Sequence, residues 1–378
     1  MADDPLIGED MRIERIEIRH VELPLVHPFE TSFGREEVRQ TIVVAVRSEG
    51  MTGWGESATS AGPWYGYETV ETCWHVLYDF LGPLVVGQGI AGPEETARLM
   101  ARVRGHNIAK MGLEAAVWDL LGQAQGKSVS RLLDGSRERV AVGVSIGVQG
   151  SVPQLLERIS EFWTQGYSRI KIKIRPGWDV DVVRQVRERF PDVPLMADAN
   201  SAYTLADTAL LSALDEFNLM MLEQPLAYDD LVEHADLQRR LRTPICLDES
   251  VPSLAAARAA LVLGSGQIVN IKPGRVGGLT VARAIHDLCR EQGVPVWCGG
   301  RLETGIGRAH NVALASLPGF TLPGDISGSA RYFHRDIVEP AFEVNTDGTM
   351  TVPAGPGIGV QVVMDRLDAA TLRRAVVE

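Results

Sequence analysis

Lys173, Asp198, Glu223, Asp248 and Lys272 recur through the middle of the chain at steps of 25, 25, 25 and 24 residues. Each stands at or near the C-terminal end of a short apolar run: IKIKI, LMADAN, LMMLEQP, ICLDES and IVNIKPG. That rhythm belongs to βα units, each delivering a polar residue to one mouth of a parallel barrel. A lone Asp at a strand end is usually a cap or a loop residue. Three carboxylates in register on successive strands converge instead, and their mutual repulsion calls for a cation. An all-oxygen set without His or Cys suits a hard divalent ion, Mg²⁺ or Mn²⁺.

The lysines carry the second half of the chemistry. In Lys171-Ile172-Lys173 the two-residue period of a strand puts both ammonium groups on one face, the barrel interior. An interior lysine is costly unless it is paired or deprotonated. Lys272 approaches from the opposite side of the mouth. Two lysines facing each other across a metal-bound carboxylate can remove a proton from either face of the adjacent carbon, the metal stabilising the enolate. Nearby positive charge is expected to lower each lysine pKa towards neutrality. Glu249 is placed to orient a lysine, Asn200 lies on the side of Asp198, and Arg275 stands three residues beyond Lys272. The Gly-rich turn GGRLETGIG (299–307) has backbone N–H groups suited to a carboxylate, although a plain tight turn explains it equally well.

These residues need a scaffold. Residues 12–24, 40–49 and 51–58 read as an antiparallel meander, and 66–82, 93–105 and 108–124 as helices. Strand 138–147 opens the alternating section. Helices follow near 152–166, 179–189, 204–216, 230–242, 253–263, 279–292 and 307–317, with strand seven at 294–300 and strand eight at 321–327. Residues 365–378 read as a short helical tail. The fold expected is α/β: a modified TIM barrel, (β/α)7β, with an α+β N-terminal capping domain completed by the C-terminal tail. Its boundaries are 1–135 for the cap, 136–345 for the barrel and 346–378 for the returning segment. A doubly wound sheet lacks its early Gly-rich phosphate loop here.

The chain has 378 residues and a net charge of −12, which disfavours nucleic acid as a partner. The acidic start MADDPLIGED lacks the apolar core of a signal peptide, and no apolar run is long enough to cross a membrane. Cys73, Cys246, Cys289 and Cys298 have no metal-ligand spacing and read as packed, reduced thiols of a cytoplasmic protein. His334-Arg335-Asp336 matches a kinase tripeptide by chance, since no other kinase feature accompanies it.

With these stretches in view, the chain resembles the enolase superfamily, in its muconate-lactonizing-enzyme subgroup. More narrowly it is similar to the o-succinylbenzoate synthase/N-succinylamino acid racemase (N-acylamino acid racemase) family. The matching stretches include PFETSFG (28–34), RIKIKIRPGWD (169–179), DANSAYTL (198–205), LEQPL (222–226), TPICLDES (243–250), IVNIKPGRVGG (268–278) and ETGIGRAHNVALASLPGFTLPGDIS (303–327). The resemblance implies Lys173 and Lys272 as the acid/base pair and Asp198, Glu223 and Asp248 as Mg²⁺ ligands. Lys171, Ser145, Asn200, Glu249, Arg275, Glu303, Thr304 and Phe29 are the implied substrate-binding or supporting residues. Loops near 28–34 and 58–66 are expected to cap the mouth and shape specificity.

The implied reactions share removal of a proton α to a carboxylate. One is racemisation of N-succinyl(acyl)amino acids. The other is dehydration of 2-succinyl-6-hydroxy-2,4-cyclohexadiene-1-carboxylate to o-succinylbenzoate in menaquinone synthesis. Muconate cycloisomerase and dipeptide epimerase are alternatives of the same subgroup, and a binding protein without turnover is a further one. A small-molecule carboxylate is the expected partner, with a homo-oligomer from dimer to octamer. One departure stands out: Arg301 occupies the place where Met is expected, which bears on acyl-group preference.

Overall fold

The structure is a computed structural model and describes residues 10–31 and 34–378, so most of MADDPLIGED and part of PFETSFG lie outside the described residues. Alternating β-branched residues build a four-stranded antiparallel sheet. It contains β1 (Arg15–Thr31), β2 (Gly34–Ser48) and β3 (Met51–Ser57) in sequence order. Three helices cover it: α1 (Val70–Val76), α2 (Pro93–Met100) and α3 (Asn107–Ala124). Contact between α3 and β3 is unusually close. A Cβ on Gly55 would lie 2.0 Å from the Gly112 carbonyl oxygen, so the helix backbone rests directly on the strand backbone. Ile16, Ile18, Ile42, Val44, Leu113 and Val117 fill the interface.

Seven parallel strands follow, paired in chain order. They are β4 (Val144–Ile146), β5 (Ile170–Lys173), β6 (Leu195–Asp198), β7 (Leu222–Glu223), β8 (Ile245–Leu247), β9 (Ile268–Ile271) and β10 (Val296–Cys298). Around them run α4 (Val152–Thr164), α5 (Val180–Arg189), α6 (Thr208–Ala213), α7 (Val232–Gln238), α8 (Leu254–Leu263), α9 (Leu279–Glu291) and α10 (Gly305–Ala315). Outward residues such as Ile170, Ile172, Leu195 and Ile245 join the large core under the helices. Inward, Met196, Met221, Cys246, Ile268 and Trp297 form a separate apolar plug. The closed side of the barrel is therefore packed, and chemistry is left to the other mouth.

Two expected elements differ. Residues 321–327 form no regular strand. Closure comes from isolated parallel bridges, Phe320 with Val296 and Gly324 with Val142, because Pro323 offers no N–H to a ladder. The tail is only half helical: α11 (Met364–Ala370) leads into β11 (Thr371–Val377), which pairs with β1. TLRRAVV ends in β-branched residues and finds an unpaired strand edge, so pairing outweighs helix propensity. All four cysteines are free and buried, and no helix is long and apolar enough to cross a membrane.

Candidate active site

Strand register assembles the mouth. Lys173 is level with Asp198, and Asp198 with Glu223. Asp248 and Lys272 follow β8 and β9 directly. Lys173, Asp198, Glu223, Asp248 and Lys272 are all buried within the same barrel end.

The basic groups divide the acids among them. Lys173 donates to Asp198 Oδ2 and to Asn200 Oδ1, both at 2.6 Å. Asn200 in turn donates to Glu249 Oε1 at 3.0 Å. Lys171 binds Glu223 at 2.9 Å, Asp198 at 3.2 Å, and also Asp325. Its ammonium stands 5.0 Å from the Trp297 ring centre, above the apolar plug. Lys272 donates to Asp248 Oδ2 at 2.6 Å and to the Tyr65 hydroxyl at 3.0 Å. Tyr65 donates to Asp248 Oδ1 at 2.9 Å, and Arg275 grips the same carboxylate. Asn270 donates to Glu223 Oε1 at 2.9 Å.

Asp198 and Glu223 thus meet on the Lys171 ammonium, while Asp248 is turned towards Lys272 and Arg275. Among the described residues no trio of acidic, His or Cys side chains is arranged to hold a metal ion. The reason is electrostatic: each acid is turned towards an ammonium or guanidinium group. The donor set nonetheless fits a hard cation. Burial first, and then the Asp198 charge, pushes Glu223 up to about 8, a carboxylate short of positive charge. Two further buried oxygens, Asn270 Oδ1 and Glu249 Oε2, have no partner. Asp198 is the contrasting case: burial opposes its charge, but Lys173 and Lys171 hold it at about 2.

The expected lowering of the lysine pKa is corrected for Lys272. Burial works against its ammonium, yet Asp248, Tyr65 and Glu223 raise it above the ordinary lysine range. Its nearest charges are negative, not positive. Lys171 is likewise raised well above that range by Asp325, Glu223 and Asp198 against the cost of burial.

A cavity of about 830 Å³ opens over the mouth. Lys171, Lys173, Lys272, Asn200, Ser145 and Phe29 all line it. The capping unit contributes a roof that includes Trp64 and Tyr65. Glu249 and Arg275 sit behind this lining, on Asn200 and Asp248. Glu303 and Thr304 are not part of it. Thr304 caps α10 and bonds Glu56, while Glu303 accepts from the Arg301 amide.

In the Gly-rich turn the amides at the start of α10 are already taken by protein carboxylates. Glu56 accepts from Thr304 N at 3.1 Å and Gly307 N at 3.0 Å, and Asp336 accepts from Gly305 N at 2.8 Å. A protein carboxylate already occupies the helix N-terminus. Asp336, the last residue of the kinase-like tripeptide, thus has a structural place.

Sequence reasoning missed Tyr65, Asn270 and Asp325 as individuals. Asn270 was available from the two-residue period, since it precedes Lys272 on the inward face. Tyr65 and Asp325 come from irregular segments, for which no period predicts direction. Gly299 was missed as well: a Cβ there would lie 2.2 Å from Asn270 Oδ1 and 2.7 Å from Lys272 Cε.

Comparison with known proteins agrees with this architecture. Residues 14–134 match the mandelate racemase/muconate lactonizing enzyme N-terminal domain, and 154–366 match the enolase C-terminal domain-like family. An o-succinylbenzoate synthase from Geobacillus stearothermophilus is 55% identical over 93% of this chain and 94% of its own. An N-succinylamino acid racemase from Amycolatopsis sp is 49% identical, covering 96% and 98%. A solved enolase-superfamily structure from Listeria innocua superposes with a TM-score of 0.94 at 40% identity, over 97% and 99% of the two chains. The chain belongs to the enolase superfamily, with the N- and C-terminal domains of the mandelate racemase/muconate lactonizing enzyme type. Its relatives at 49–55% identity are named as o-succinylbenzoate synthases and N-succinylamino acid racemases, and a chloromuconate cycloisomerase is more distant at 31%.

Proposed function

We propose that the chain is a lysine-dependent enzyme that removes the proton α to a substrate carboxylate, acting as an N-succinylamino acid racemase and as an o-succinylbenzoate synthase. The observation that carries this reading is the pair Lys173 and Lys272. They stand on strands that flank the arc of three acids and line one cavity.

In the racemase reaction one lysine takes the α-proton and the other returns a proton to the opposite face. In the synthase reaction Lys173 takes the ring proton α to the carboxylate and returns it to the hydroxyl group as the C–O bond breaks, so that water leaves. Lys272, held as a cation by Asp248 and Tyr65, then offsets the negative charge on the substrate. Asn200, fixed by Glu249, orients Lys173. Asp198, Glu223 and Asp248 would hold Mg²⁺. A bound divalent ion supplies positive charge beside the substrate carboxylate and so makes the α-proton acidic. Tyr65, from the roof, covers the Lys272 ammonium. The same reading carries a cytoplasmic homo-oligomer, for which sedimentation gives the subunit number.

The test is proton NMR of both enantiomers of N-succinyl-phenylalanine in D₂O with Mg²⁺. Loss of the α-proton signal from both is the expected result. Exchange with neither, together with no o-succinylbenzoate from the cyclohexadiene, overturns the proposal.

A further inference from the structure

Besides the lysines and the exposed Arg35, the same cavity is lined by two buried guanidinium groups, Arg39 on β2 and Arg301 in the turn after β10. They grip one short stretch of the capping unit: Arg301 Nε donates to Ala58 O at 2.7 Å, and Arg39 Nη1 donates to Ser60 Oγ at 3.1 Å. Arg39 is only 2% exposed and Arg301 8%. Both are under-satisfied. Arg39 Nε and Nη2 and Arg301 Nη1 are buried with no hydrogen-bond partner, and Glu36 reaches only Arg39 Nη1, at 3.4 Å. A buried guanidinium lacking acceptors is costly, and two together more so. A carboxylate is the ligand that such planar N–H forks match.

We propose that Arg39 and Arg301 form an anion subsite for a second carboxylate, carried on the acyl arm of the substrate. The inference rests on the proposed α-proton chemistry and names the residues that would select, among its substrates, an acyl arm ending in a carboxylate. Arg301 also lies 4.2 Å over the Tyr65 ring. The subsite is thereby tied to the roof over Lys272.

The experiment compares N-succinyl-phenylalanine with N-butanoyl-phenylalanine, which keeps the α-carboxylate but has a methyl group where the acyl arm ends in a carboxylate, on the wild-type protein and on Arg301→Met and Arg301→Lys, with Mg²⁺ throughout. Calorimetry gives affinity and α-proton exchange gives kcat/KM. The wild type is expected to prefer the succinyl compound by about tenfold or more, mainly through affinity. Arg301→Met is expected to bring that ratio close to one, and Arg301→Lys to recover part of it. Equal affinity of the wild type for the two compounds overturns the subsite. So does an equal fall for both compounds in Arg301→Met, which would make Arg301 a support for Tyr65 only. If the wild type exchanges neither compound, the α-proton reading fails by itself, and the affinity ratio still decides the subsite.

Discussion

Lys173 and Lys272 differ in their surroundings although both stand at the mouth. Lys173 is held by one carboxylate and an amide oxygen, whereas Lys272 shares Asp248 with Tyr65 and Arg275. Under the proposed chemistry Lys173→Ala and Lys272→Ala each lose racemisation by at least about 100-fold. The two variants should retain exchange with opposite enantiomers, as read by NMR in D₂O; retention of the same enantiomer by both would count against a two-base site. Gly299→Ala tests positioning alone. Its methyl group would displace Lys272, and a shift near 1 Å is expected to lower kcat by about 100-fold with the circular dichroism spectrum unchanged. These five central residues were legible because each ends or directly follows a strand whose alternation fixes the inward direction. Their pairing was not. Whether an acid meets a cation or a neighbouring acid depends on side chains from several strands, and Tyr65 arrives from a bend some 180 residues away in sequence.

Buried acids at helix starts hold the elements together. Glu114 on α3 accepts from Leu279 N at 2.7 Å and Thr280 N at 2.9 Å, where α9 begins, and from the Trp118 indole at 3.0 Å. Glu56 does the same for α10. Burial raises both carboxyl groups above the ordinary range, and the helix amides oppose the shift. Glu114→Ala would orphan two buried helix amides, and chemical unfolding should report a loss of about 1–3 kcal/mol or more. Gly55→Ala is expected to cost a similar amount by forcing α3 off β3; no change in the unfolding midpoint would mean the helix can shift freely. The barrel helices were readable from their period. The acids were not, because an acidic residue within a helix reads as a solvated face until its partner helix is known. Strand eight failed for a related reason: one proline converted a ladder into single bridges.

At the scale of the whole molecule, cap and barrel meet through His310 as well. On α10, its Nδ1 lies 3.0 Å from the Ile306 carbonyl oxygen and its Nε2 3.0 Å from that of Ala115 on α3. Burial lowers it to about 4 from the ordinary 6.5. Between those values the unfolded chain takes up a proton that the folded chain refuses, so stability falls as the pH drops from 6.5 towards 4. The slope is about 1.4 kcal/mol per pH unit. His310→Gln removes this titration. The wild-type-minus-variant difference in urea unfolding should therefore shrink by about 2 kcal/mol between pH 6.5 and 5; a constant difference would show that His310 is not the titrating group. The cap-and-barrel plan itself could be read from the sequence, as could the return of the tail. The strand that completes the sheet could not, since TLRRAVV shows no clean alternation of apolar and polar residues and its backbone partner lies far away in sequence.

That last pairing has a consequence for the order of synthesis. β1 is made well before the residues that lie along one of its edges: Val377 opposite Ile16 and Thr371 opposite Val21 follow 350 or more positions later. Until those residues are made the nascent chain carries a hydrogen-bonding edge with nothing on it, a template for other chains. A messenger cut short just before the codon for Thr371 would yield a protein with every residue of the mouth in place and that edge permanently open. Its failure would show as association between molecules, not as lost chemistry.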